Sequence, residues 1–129
     1  GYRAWMLSAL SDKIQVGAAI CWMNTTDCQF SWEYGRERGG FANMLPGIRR
    51  YLDYPHIASI ACPKPMLFLN GEHDKLFPPV GVRDAFAEMH KVWESRSAGD
   101  RLVTELWDMP HDCGKKVQAK ILGFLNKWL

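Results

Sequence analysis

The sequence is short of nearly every feature that assigns a function at sight. Its 129 residues hold four cysteines, Cys21, Cys28, Cys62 and Cys113. None forms a CxxC pair, and their spacing matches no zinc module. The chain does not read as small and loop-rich, so buried or semi-buried thiols are expected rather than a disulfide framework. No run of ~18 apolar residues exists, which excludes a hydrophobic membrane span. Neither sign of charge dominates: 16 basic residues stand against 14 acidic ones, a net charge of +2. The basic residues are scattered apart from short pairs, so no nucleic-acid partner is expected. No signal-peptide pattern appears, and compartment stays open. The chain has no initiator Met, and a processed or excised piece is the expectation. Internal repeats and low-complexity stretches are also missing.

What is present is a globular composition, 47% apolar and 23% charged, in a length that suits one domain. Tyr2, Met6, Ala9 and Leu10 have helical spacing. Residues 14–23, IQVGAAICWM, are apolar on both faces, as a strand inside a parallel sheet is. Residues 24–50 form a long irregular segment rich in Gly, Asn and aromatics. Residues 54–61 predict a short helix, with Asp53 as its cap and Pro55 in its first turn.

A second buried strand is predicted at residues 65–70. An amphipathic helix follows at 80–93, with Val82, Phe86, Met89 and Trp93 on one stripe. Residues 101–109 predict a third strand. A last helix spans 114–129, burying Val117, Ile121, Phe124, Leu125 and Trp128. The alternation of helix and strand argues an α/β fold with a parallel sheet.

In open α/β sheets, sites form beyond the C-terminal ends of strands. Asp74 follows the second predicted strand, in LFLNGEHDKLFPP. His111 follows the third, in WDMPHDCG. If the two strands are neighbours, both side chains reach one rim. A carboxylate that accepts a hydrogen bond from imidazole fixes its tautomer and stabilises the imidazolium. The imidazole then deprotonates a hydroxyl or thiol. The order acid, helix, strand, histidine suits a nucleophile–acid–histidine hydrolase.

Glu72 and His73 read as loop surface. Asp112 braces its loop or caps the last helix. His73, Asp74, His111 and Asp112 also offer metal ligands that could share the rim, though no H-x-x-x-H spacing supports a metal site. In residues 21–40, Trp22, Met23, Trp32 and Tyr34 either line an apolar substrate pocket or only pin the loop. Arg36 or Arg38 would contact an anionic group there.

Strand-x-G-x-x-D-x-x-x-P-P, then helix, strand and P-H-x-x-G before a final helix, resembles the C-terminal half of an α/β-hydrolase. The nearest branch is that of dienelactone hydrolases and acetyl-xylan esterases. The opening GYRAWMLSAL is similar to the segment after the nucleophile elbow G-x-S-x-G-G in that branch. The resemblance spans essentially the whole chain. It implies a three-layer partial α/β-hydrolase fold, with about three parallel strands flanked by helices, as a single C-terminal portion over residues 1–129. It implies Asp74 as acid and His111 as base in ester hydrolysis through an acyl-enzyme, with no metal or organic cofactor.

The departure is the nucleophile. No G-x-S-x-G occurs, and no serine here has the flanking glycines of an elbow. A Ser or Cys from outside the chain would attack, and the isolated chain would be inactive on its small-molecule ester substrate. Two rivals remain: a hydrolase-like binding module without chemistry, and a metal-dependent hydrolase. Missing strands beside residues 14–21 would leave an open apolar edge, through which a homo-oligomer is expected.

Overall fold

A computed structural model of the chain describes residues 1–31 and 47–129. Three strands form one parallel sheet in the order β1 (Gly17–Ile20), β2 (Met66–Gly71), β3 (Leu102–Trp107). Five α-helices accompany them among the described residues: α1 (Tyr2–Leu10), α2 (Thr26–Gln29), α3 (Tyr54–Ala58), α4 (Pro79–Ser95) and α5 (Lys115–Trp128). This is the α/β alternation expected from the sequence.

β2 is central, and all six of its residues are buried. That is why its sequence is apolar on both faces. β1 is built of Gly-Ala-Ala-Ile, and its small residues let α1 lie close. A Cβ on Gly17 would stand 2.4 Å from Ser8 Oγ. The strand is shorter than residues 14–23 predict. Cys21 takes a left-handed backbone, φ 49°, and turns the chain off the sheet, so Trp22 and Met23 lie beyond the strand.

Neighbouring β3 residues face opposite layers. Thr104 Oγ1 meets His90 of α4 at 2.8 Å, whereas the Glu105 carboxylate pairs with Lys120 of α5. α4 and α5 therefore cover opposite faces of the sheet. Trp5, Ala19, Met66, Phe68, Val82, Met89 and Trp93 belong to the main core cluster, formed with α1, α3 and α4. The predicted stripe of α4 is buried throughout, from Val82 to Trp93. The predicted face of α5 is less covered: Val117 and Phe124 are buried, while Ile121, Leu125 and Trp128 are half-buried.

Asp53 caps α3 as its position predicts. Its carboxylate accepts from Tyr54 N–H at 2.6 Å, and His56 Nδ1 accepts the Asp53 N–H at 2.9 Å, completing a capping box. The same carboxylate accepts the N–H of Thr26, at 2.8 and 3.1 Å, which ties α2 to α3.

Candidate functional site

Both loops that leave the sheet at the C-terminal ends of β2 and β3 are bound to each other by backbone. Glu72 N–H donates to Trp107 O at 2.7 Å, and His73 N–H to Met109 O at 3.1 Å. Asp74 N–H donates to Gly71 O at 3.3 Å and closes a turn directly after β2. The turn aims the Asp74 side chain at the loop after β3. There His111 Nδ1 lies 2.8 Å from Asp74 Oδ2. The two strand ends predicted to share a rim do share it.

Asp74 is buried, at 3% exposure, and both its oxygens are engaged. Oδ2 faces His111, and Oδ1 accepts the Leu76 N–H at 2.8 Å. A buried carboxylate needs such partners, because an unpaired one is costly. The His111 side chain keeps 50% of its surface in solvent. One imidazole edge is thus fixed by a carboxylate while the ring stays open to an incoming group. That is the arrangement of a base whose tautomer is set from behind.

The ring of Phe77 stacks on His111 at 6.2 Å between centroids and 21° between planes. Phe77 is itself against Trp22 at 5.3 Å, and Trp22 touches Tyr2, Trp5 and Tyr54. One apolar wall therefore runs from α1 to the imidazole. Burial, the first cause, with Tyr2 and Asp53 adding to it, pushes the Tyr54 phenol up to about 12.

Cys21 lies at the same rim. Its thiol donates to Asp112 O at 3.4 Å, joining the end of β1 to the histidine loop. Burial pushes this thiol up, and the nearby Asp74 carboxylate adds to the effect. Among the described residues, Cys21, Asp74 and His111 are the group whose donor atoms gather closely enough for a metal, within 4.8 Å of one another. The set suggested by the sequence is not the one assembled: His73 Nε2 instead pairs with Asp108 at 2.7 Å on the open surface. The Asp112 carboxylate accepts the Gly114 N–H at 3.0 Å, bracing its loop.

The residues proposed for substrate contact part ways. Trp22 is half-buried in the aromatic wall. Met23 is fully buried in the core cluster, so it packs and presents no open surface. Trp32 and Arg36, with Tyr34 and Arg38, lie outside the described residues. Phe77 and Cys21 were missed as rim residues. The signal was position: Cys21 ends a strand at the rim, and Phe77 falls three residues after the acid.

Comparison with known proteins bears on the fold. No family model matches the chain. Over 129 residues the chain is 28% identical to "Putative hydrolase YtaP" of Bacillus subtilis (strain 168), all of it matching 43% of that protein. A family 15 carbohydrate esterase, a glucuronoyl esterase from Caldicellulosiruptor kristjansonii, superposes with a TM-score of 0.76 at 16% identity. That match covers 98% of this chain and 40% of the esterase. Methylesterase BT1017 superposes with a TM-score of 0.65, also at 16% identity, covering 95% of this chain and 27% of its own. The fold is a partial α/β fold, three parallel strands flanked by helices, that superposes on part of these esterases. The chain spans less than half the length of each of these proteins.

Proposed function

We propose that the chain supplies the acid and the histidine of a nucleophile–histidine–acid relay that hydrolyses carboxylic esters, in the manner of dienelactone hydrolases. The observation that carries this reading is the 2.8 Å contact between His111 Nδ1 and the buried Asp74 carboxylate, with the imidazole open on its other side. A Ser or Cys from outside the chain attacks the ester carbonyl. His111 takes the nucleophile's proton and returns it to the leaving alcohol as the acyl-enzyme forms. Asp74 holds the tautomer and stabilises the imidazolium. A water, deprotonated by His111, then attacks the acyl group, and His111 returns that proton to the departing nucleophile as the acid is released. Trp22 and Phe77 form the apolar side of the ester pocket. No cofactor takes part.

Two assays test the reading. The isolated chain should show no turnover of a small activated ester. The chain joined to the sequence that precedes it should turn the ester over, and His111→Ala should abolish this. Turnover by the isolated chain that His111→Ala abolishes would overturn the division of the relay. A hydrolase-like module that only binds would show no turnover in either form. The outer edge of β1 has no strand partner among the described residues, and we propose that the isolated chain self-associates there. Sedimentation of a single monomeric species at high concentration would overturn that.

A further inference from the structure

We propose that Cys21, Asp74 and His111 form a binding site for a thiophilic divalent cation of the zinc type, one that blocks the relay instead of serving it. The three residues bring three different donors, a thiol sulfur, a carboxylate oxygen and an imidazole nitrogen. These atoms lie within 4.8 Å of one another. Zinc accepts this mixture of ligands, whereas calcium and magnesium favour oxygen alone.

Two of the donors are already held in place. Asp74 is fixed by the Leu76 N–H, and Cys21 by its left-handed backbone and its contact with Asp112 O. His111 supplies the freedom, since half its side-chain surface faces solvent. In tetrahedral zinc sites, metal–ligand bonds of roughly 2.0–2.3 Å set donors about 3.3–3.6 Å apart. The His111–Asp74 contact, 2.8 Å, must open by about 0.5 Å and the pairs with Cys21, within 4.8 Å, must close by up to about 1 Å, within reach of rotamer changes at His111 and Cys21. The exposed side of His111 is the way in, and a water completes the fourth position.

The protons balance simply. Cys21 gives its thiol proton to solvent and a sulfur lone pair to the metal. The hydrogen bond to Asp112 O is lost in that step. His111 binds through one ring nitrogen as neutral imidazole, and Asp74 binds as the carboxylate it already is. One proton is released per ion bound. An imidazole and a carboxylate held by metal no longer pass protons to a nucleophile. Only this last consequence rests on the ester-hydrolysis reading; the binding does not.

The test therefore reads binding on the chain itself. Zn²⁺ is titrated in competition with a chromophoric chelator. Co²⁺ is titrated while the sulfur-to-cobalt charge-transfer absorption is followed. One ion per chain is expected, with that absorption present. Cys21→Ser should weaken zinc about 10- to 100-fold, at least the loss that an outer-shell change brings, and remove the absorption. His111→Ala should weaken zinc similarly, and Cys113→Ser should change neither signal. Absence of stoichiometric binding overturns the proposal. So does binding that survives Cys21→Ser, which would mean a surface imidazole, or binding that depends on Cys113. Should Cys21→Ser fail to fold, protection of Cys21 from alkylation by Zn²⁺ in the unaltered chain decides: protection supports the site, and its absence overturns it. Ester turnover of the longer protein can fail or succeed independently of these results.

Discussion

Gly71 and Pro110 meet backbone to backbone. A Cβ added to Gly71 would stand 2.5 Å from the Pro110 carbonyl oxygen and 2.3 Å from that of Met109. Neither carbonyl can swing away as a side chain would, so Gly71→Ala must push the loop that carries His111. The expected cost is about 1–3 kcal/mol, typical of overpacking. The sharper expectation is local. The low-field NMR resonance of the His111 Nδ1 proton should weaken or vanish while far-UV circular dichroism stays unchanged. A retained resonance would show that the loop absorbs the methyl elsewhere.

Removing the imidazole strands the acid. In His111→Ala, Asp74 loses its imidazole partner and, among the described residues, keeps the Leu76 N–H. A loss of about 1–3 kcal/mol is expected in urea unfolding. Asp74→Asn keeps the shape and should cost less. On the proposed ester-hydrolysis reading, it should also lower kcat of a longer chain carrying the nucleophile on the order of 10³- to 10⁴-fold, as wrong-tautomer variants do.

Phe77 is buried between Trp22 and His111. Phe77→Ala opens a cavity in that wall and should cost about 3–5 kcal/mol. Phe77→Leu should retain most of the stability but lose the ring stacked on the imidazole. The ring current of Phe77 falls on the stacked imidazole, so the NMR chemical shifts of the His111 ring protons should change in Phe77→Leu. Unchanged shifts would mean that the ring faces do not overlap in solution.

Tyr54 sets a limit at high pH. Its phenol is pushed up to about 12 in the folded chain from an ordinary value of 10.0, chiefly by burial. The unfolded chain therefore loses this proton first. Stability from this group is complete below pH 10 and falls as pH rises from about 10 to 12. The loss approaches ~3 kcal/mol at about 1.4 kcal/mol per unit. Tyr54→Phe should flatten the decline, which urea unfolding at several pH values measures.

Much of the architecture was legible because it rests on periodicity. The stripe from Val82 to Trp93 and the two-faced apolar run of β2 each encode burial directly. Asp74 and His111 were legible for another reason: a charged group at a strand's C-terminal end has one rim to occupy. Met23 settles on the packing side of the two readings, because an apolar side chain after a strand looks the same in sequence whether it turns inward or outward. The left-handed turn at Cys21 decides that, and nothing in CWM announces a positive φ at a non-glycine residue. Phe77 and Cys21 reach the imidazole across 34 and 90 residues of chain. Position at the rim marked both residues, but the contacts across the chain have no local signature.

β3 is aligned on β2 so that Gly71 stands opposite Trp107, and the acid and the histidine hang from those two ends. Slipping β3 by a single residue would carry its end about 3.3 Å along its neighbour and turn every side chain to the other face. A 2.8 Å hydrogen bond does not survive such a step. The contact between Asp74 and His111 is thus a gauge of strand alignment. A misaligned chain lacks the Asp74–His111 contact entirely instead of carrying a weakened one, so an error in strand alignment leaves no partly formed site behind.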